Sequence, residues 1–387
     1  MAKNGCKNFK PSIKEMGGFV IVFNNSANIE TDGYFGISHL IEHCMCENIK
    51  KYELDFEKYG IGYNASTDFD EVKFHISGLA EGVDKFKELF YNEIVNYKIT
   101  KDVFERERQI VIQEFNDILS RPRQVFILNI LRKYIQVNVP IGEFNDLENL
   151  TYEKFIDYKE KYFSVPTFVF NTTTNKIKRN QFKTEPVKLK FIDNSGAPIN
   201  EPNNKNLLIG SKADTSSTIG YISKFTYDMK SFEEYLYYTL IGNYLTYGLS
   251  APLYKDLRED TGHVYEISAS PVIHYESSNN AFFAITLQTN PQFETEIKEK
   301  LLKSLKIHLL NPDKNIFDNV SVGYKNSIKR SRIMTIMKSA GFYDRLFKKI
   351  DKIEFNFEKF KNYAKKFIES DYILISSKEL ESKYGNN

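Results

Sequence analysis

His39-Leu-Ile-Glu42-His43 is the run in this chain whose residue types and spacing suit metal chemistry. On a helix, residues four apart stand on one face a turn apart, so His39 and His43 can meet at a single ion while Glu42 projects beside them. Two neutral imidazoles suit zinc, and a catalytic zinc needs a third protein ligand, commonly a carboxylate, plus an open position for water. A second helix must supply that ligand. FERERQIVIQEFND sets Glu107, Val111, Glu114 and Ile118 on one helical face, placing two carboxylates in a stripe otherwise turned to apolar neighbours. Burying them costs roughly several kcal/mol each unless a cation or a full set of hydrogen bonds offsets the cost. Beside the histidine pair, Glu114 reads as a ligand. Glu107 on its own reads equally well as part of an exposed, charged helix.

The other histidines, His75, His263, His274 and His308, share no ligand spacing and read as surface or hydrogen-bonded residues. Cys44 follows the motif about 100° around the helix from His43, and Cys44 and Cys46 read as packing residues. The chain contains no G-x-S-x-G elbow, P-loop or G-x-G-x-x-G fingerprint.

Positioning these groups requires at least two helices against a sheet. Gly18 to Asn24 reads as a strand, about Gly36 to Ile49 as the motif helix, and Val72-Lys-Phe-His-Ile-Ser as a half-buried strand with alternating apolar positions. Val83, Phe86, Phe90, Ile94 and Val95 recur at helical spacing, and a further helix is predicted from about Lys101 to Leu119. Pro, Asn and Gly cluster over 184–206, which predicts a linker. Beyond it the scheme repeats in outline: a strand near 217–225, a helix over about 231–247, strands near 264–269 and 281–289, then helices after Gln292. The expected fold is therefore α+β, two similar domains of mixed or antiparallel sheet packed with helices. Their expected bounds are 1–186 for a zinc-binding catalytic domain, 187–206 for the linker and 207–387 for a substrate-chamber domain.

Composition sets the remaining bounds. A chain of 387 residues with 41% apolar and 27% charged residues is long enough for two or three ordinary cores and too apolar for disorder. With 53 basic against 51 acidic residues it lacks the cationic surplus of a nucleic-acid-binding module. Three cysteines, Cys6, Cys44 and Cys46, make no disulfide framework, and no run is apolar and long enough for a signal peptide or a membrane span. The expected setting is cytoplasmic.

NIETDGYFGISHLIEHCMCEN, YGIGYNASTDFDEVKFHISG and ITKDVFERERQIVIQEFND follow one another in the order of a known catalytic domain. On these blocks the chain resembles the pitrilysin/insulinase family of zinc metallopeptidases, whose signature is the inverted motif His-x-x-Glu-His. The resemblance implies one zinc ion per chain held by His39, His43 and Glu114, with Glu42 as general base and Glu107 orienting a ligand histidine. Glu114 lies 71 residues past His43, slightly short for the family, as a trimmed loop after the motif would produce. CMCEN also departs from the bulky apolar residue and Gly-Thr turn of many relatives. Asn64, with Ala65, matches the family's position on the strand that binds extended substrate. GLSAPLYKDLREDTGHVYEISA is similar to the family's C-terminal block, and that similarity assigns Arg258 and Tyr265 to substrate binding and oxyanion stabilisation across the chamber. Spacing alone would leave them an ordinary surface cation and strand residue.

The implied activity is zinc-dependent endopeptidase cleavage of extended peptides or unfolded polypeptide segments inside a closed chamber. The implied assembly is a homodimeric clamshell in which each active site is completed in trans. The competing expectation is a non-catalytic scaffold or partner subunit of the same family that binds peptides. Members of that kind usually lack motif residues, and here His39, Glu42, His43 and Glu114 are all in place.

Overall fold

The computed structural model describes residues 16–135, 137–171, 176–179, 208, 216–226, 233–274, 280–338 and 354–384. The expected linker and both boundaries drawn around it lie outside the described residues. The GFVIVF run forms β1 (Met16–Phe23), whose last seven residues are all buried, as a strand covered on both faces requires. It is the middle strand of an antiparallel sheet ordered β2-β3-β1-β4-β5, with β2 Ile61–Thr67, β3 Val72–Leu79, β4 Phe168–Asn171 and β5 Lys176–Arg179. In β3, Val72, Phe74 and Ile76 go to the core, as the alternation predicts. Lys73 is buried as well, its ammonium held by Asp68 and Glu71 at 2.8 Å each. Strand β2 stands at the sheet edge and pairs with β3 alone among the described residues.

Around this sheet run α1 (Ile37–Cys46), α2 (Glu53–Lys58), α3 (Ala80–Val95), α4 (Lys101–Leu119), α5 (Pro122–Ile130), α6 (Phe144–Asn149) and α7 (Tyr152–Tyr162). The motif helix ends three residues before the predicted Ile49. Glu47–Tyr52 tightens into 3-10 winding instead, from which Ile49 is still fully buried. Helix α4 spans the predicted 101–119, opened by Thr100, whose hydroxyl accepts from the Val103 N–H at 3.3 Å.

In the second half, β6 (Ser217–Thr226), β7 (Val264–His274), β8 (Asn280–Thr289) and β9 (Tyr372–Ser376) form an antiparallel sheet ordered β7-β8-β6-β9. Helices α8 (Glu233–Thr246), α9 (Glu294–Leu310), α10 (Lys314–Lys338), α11 (Phe357–Glu369) and α12 (Ser377–Tyr384) complete it. Renumbered within each half, the first four strands share one order, second-third-first-fourth. Both halves are thus α+β with the same topology, and all described strand pairs are antiparallel. The short strands β4, β5 and β9 had no clear alternation to announce them.

Each half has its own core. A third cluster joins them: Phe115, Phe126, Ile130, Leu131, Val137, Val139 and Ile141 of the first half pack on Ile222, Phe282, Ile373, Ile375 and Leu380 of the second. Among the described residues no helix is long and apolar enough to cross a membrane.

Candidate metal centre

Helix α1 buries Ile37, Leu40, Ile41, Cys44 and Met45 in the first core, contributing roughly 1.5–3 kcal/mol for each large aliphatic side chain. That packing fixes its rotation and leaves His39, Glu42 and His43 on a half-buried face toward α4. Helix α4 in turn buries Val103, Phe104, Val111 and Phe115, and Glu107 with them. The two helices bring together the ligand atoms of His39, His43 and Glu114, all within 4.8 Å of one another. Both imidazole Nε2 atoms lie 3.6 Å from the same Glu114 Oε2. The two rings stand edge to face, centroids 4.8 Å apart.

The structure separates the two α4 carboxylates that the helical stripe grouped. The Glu107 side chain is 3% exposed, whereas the Glu114 side chain keeps 44% of its surface. Glu107 Oε2 lies 3.6 Å from His43 Nδ1, and its other oxygen accepts from Arg106 Nε at 3.2 Å. Arg106 also pairs with Glu47. A carboxylate thus stands behind His43 Nδ1, whereas His39 Nδ1 is buried without a hydrogen-bond partner among the described residues.

Burial drives the His39 pKa down to about 3, with the neighbouring His43 adding to the effect, so the imidazole is held neutral as a ligand must be. Burial likewise raises the Glu42 carboxyl above the usual range, opposed chiefly by a 2.8 Å hydrogen bond from the Thr67 hydroxyl to Oε2. Thr67 is a site residue that the sequence reading missed. It closes GYNAST on β2, and only the strand's position against α1 reveals its part.

Asn64 and Ala65 lie on the same edge strand, opposite His75 and Phe74 of β3. Asn64 is exposed, and its side-chain oxygen accepts from the Ala65 N–H at 2.9 Å. Arg258 and Tyr265 come together elsewhere. Arg258 sits in a π-helical turn, Tyr254–Glu259, with its guanidinium 5.1 Å from the Tyr254 ring centre, and Tyr265 on β7 is 66% exposed. Both line a cleft of about 300 Å³ with Leu249, Tyr254 and Ile267. Among the described residues, no hydrogen bond, ion pair or ring contact joins them to the histidine cluster of the same chain.

The donor set, two neutral imidazoles and a carboxylate backed by a second carboxylate, fits a zinc ion with an open coordination position. The buried Glu107 and the partly buried Glu114, both turned toward imidazoles, are the arrangement a cation stabilises.

Comparison with known proteins finds family matches over both halves of the chain. The profile described as Insulinase (Peptidase family M16) matches residues 21–140, and that described as Peptidase M16 inactive domain matches residues 149–320. Zinc protease PqqE of Helicobacter pylori is 30% identical over 120 residues, 29% of this chain and 27% of that protein. Mitochondrial-processing peptidase subunit beta of Neurospora crassa is 22% identical over 150 residues, 36% of this chain and 31% of its own length. These matches span less than a third of either relative. Among solved structures, a peptidase M16 inactive domain from Pseudomonas fluorescens superposes with a TM-score of 0.71 at 15% identity, covering 94% of this chain and 92% of its own. A protease from Helicobacter pylori does so with a TM-score of 0.68 at 14% identity, covering 95% of both chains.

Proposed function

Because the chain belongs to the peptidase M16 (insulinase) family, we propose that it is a zinc-dependent endopeptidase acting on extended peptides or unfolded polypeptide segments. The observation that carries this reading is the meeting of His39, His43 and Glu114 within 4.8 Å, with Glu42 one turn along the same helix. His39, His43 and Glu114 would hold the ion. When bound, zinc supplies Lewis acidity, bringing the pKa of a water toward neutrality and polarising a peptide carbonyl.

The chain's own groups do the rest. Glu42 takes the proton of the attacking water and later delivers it to the leaving amine. The Thr67 hydroxyl holds one Glu42 oxygen, which fixes the carboxylate while the other oxygen handles the proton. Strand β2, an edge strand among the described residues, offers its outer side to an extended substrate, so backbone hydrogen bonds supply much of the affinity and folded domains are excluded. The Asn64 side chain covers the Ala65 N–H until a substrate strand replaces it.

Arg258 and Tyr265, exposed in their own cleft, are available to a facing unit, where they would bind the substrate backbone and stabilise the developing oxyanion. The assembly proposed is a homodimer with each site completed in trans, and an active monomer in sedimentation would defeat it. Zinc analysis combined with cleavage of an unfolded-peptide mixture tests the reading. Glu42→Gln should keep zinc and lose cleavage. A wild-type chain with neither zinc nor turnover would instead mark a non-catalytic, peptide-binding member.

A further inference from the structure

Helix α1 begins without a cap of its own. Its N-cap residue is Gly36, in the left-handed region at φ +94°, with no side chain to meet the free N–H groups of the first turn. Glycine is needed there for its positive φ, and a Cβ on Gly36 would also crowd the Gly142 Cα and the Ile141 carbonyl oxygen at 3.1 Å each. Across the same contact a Cβ on Gly142, itself at φ +78°, would lie 2.3 Å from the Gly36 Cα. The missing cap comes from outside the helix. Glu30, 4% exposed, accepts from the Gly36 N–H at 2.7 Å through Oε2 and from the Ser38 N–H at 2.9 Å through Oε1. Immediately upstream, Asp146 on α6 accepts the Gly33 and Phe35 N–H groups at 2.9 and 3.0 Å, both on Oδ2.

The segment that supplies Gly142 and leads to Asp146 is anchored in turn. Asn138 donates to the carbonyls of Ala27 and Glu30 at 2.9 and 3.0 Å, and the Glu143 N–H donates to the Phe35 carbonyl. Val137, Val139 and Ile141 from the same segment are buried in the cluster shared with the second half's sheet. Ser38, the last residue gripped, directly precedes His39.

We propose that Glu30 and Asp146 form a carboxylate clamp that aims the metal helix, and that the 137–146 segment ties this aim to the interface between the two halves. Both are positioning residues, since neither touches the ligand atoms. The proposal rests on the reading that His39, His43 and Glu114 bind zinc.

The two carboxylates make opposite demands on an amide replacement. Asp146 uses a single oxygen for both N–H groups, so an asparagine oxygen can take its place. Glu30 uses both oxygens, so glutamine would turn an NH2 group toward a backbone N–H. Zinc affinity of the full chain, measured at about pH 8, where Glu30 is ionised, by competition with a chromophoric chelator, is the readout, with circular dichroism to confirm the fold. Glu30→Gln and Asp146→Ala should each weaken zinc binding about tenfold or more, while Asp146→Asn should stay within about threefold of wild type. A clamp that served only the fold would lower the melting temperature of the metal-free protein and leave zinc affinity unchanged, and that result overturns the proposal. If Asp146→Ala does not fold, the near-isosteric pair decides: equal zinc affinity in Glu30→Gln and Asp146→Asn overturns it. Failure of the wild-type chain to bind zinc at all would instead defeat the metal reading on which the proposal stands.

Discussion

Helices α1 and α8 occupy the same place in the two halves, each following the first strand of its sheet and preceding the next two, yet they present opposite surfaces. Helix α8 buries nine of its residues, Tyr235, Tyr237, Tyr238 and Tyr244 among them. Its backbone comes so close to β7 that a Cβ on Gly242 would lie 2.4 Å from the Ala269 carbonyl oxygen. Helix α1 gives the core a narrower stripe and keeps two imidazoles and a carboxylate on its remaining face. One topology can thus serve as a packing unit or, on the proposed function, as a platform for chemistry. The difference lies in whether polar groups on the inner helix are answered by partners on a neighbouring helix, as Glu107 and Glu114 on α4 answer the histidines.

The sharpest way to break the contrast is at Glu42. Glu42→Gln should cut peptide turnover about 10²–10⁴-fold with zinc content unchanged, and retained cleavage would remove the catalytic role from α1. In α8, Tyr238→Ala should cost about 3–5 kcal/mol in denaturant unfolding while leaving zinc affinity at the wild-type level. A loss of zinc in that variant would show that the two helices are not functionally separate. Glu107→Gln should weaken zinc binding about 10–100-fold by releasing His43, with little change in the fold, as measured by chelator competition and circular dichroism.

A smaller effect concerns pH. Burial raises the Glu30 pKa from 4.5 to about 7, although the N–H groups of Gly36 and Ser38 pull it down. The unfolded chain therefore ionises this group first as pH rises. The stability it contributes is fully present below about pH 4.5 and is lost as pH rises through about 7, at roughly 1.4 kcal/mol per pH unit in between. Glu30→Gln has no such dependence, so the metal-free variant should fall furthest behind wild type near pH 4.5 and recover ground by pH 8. Parallel stability–pH curves for the two proteins would contradict this.

Much of the centre was legible because it is written in helical period. His39, Glu42 and His43 lie within one turn and a half, and Glu107 and Glu114 share a face of α4 whose bounds matched the expected helix. What period cannot convey is which of two carboxylates on one face will be buried, since that depends on where the partner helix ends its contact. Nor can it convey contacts made by topology. Thr67 reaches Glu42 across 25 residues and Asp146 reaches Phe35 across 111, and neither side chain carries a local sign of its role. Arg258 and Tyr265 were placed by resemblance to a block, and the structure brings them to one cleft for a reason spacing does not hold, the π-helical turn that packs against β7.

The two thiols that follow the motif have a bearing on which ion the centre can keep. Burial pushes both Cys44 and Cys46 far above the usual thiol range, and nearby Glu107 adds to the effect at Cys44. A thiol that stays protonated in the metal-free chain reacts slowly with alkylating agents and peroxides. Cys44 turns into the first core, and the atoms that meet within 4.8 Å at the centre are imidazole nitrogens and a carboxylate oxygen, a set that suits zinc better than a thiophilic ion such as copper(I).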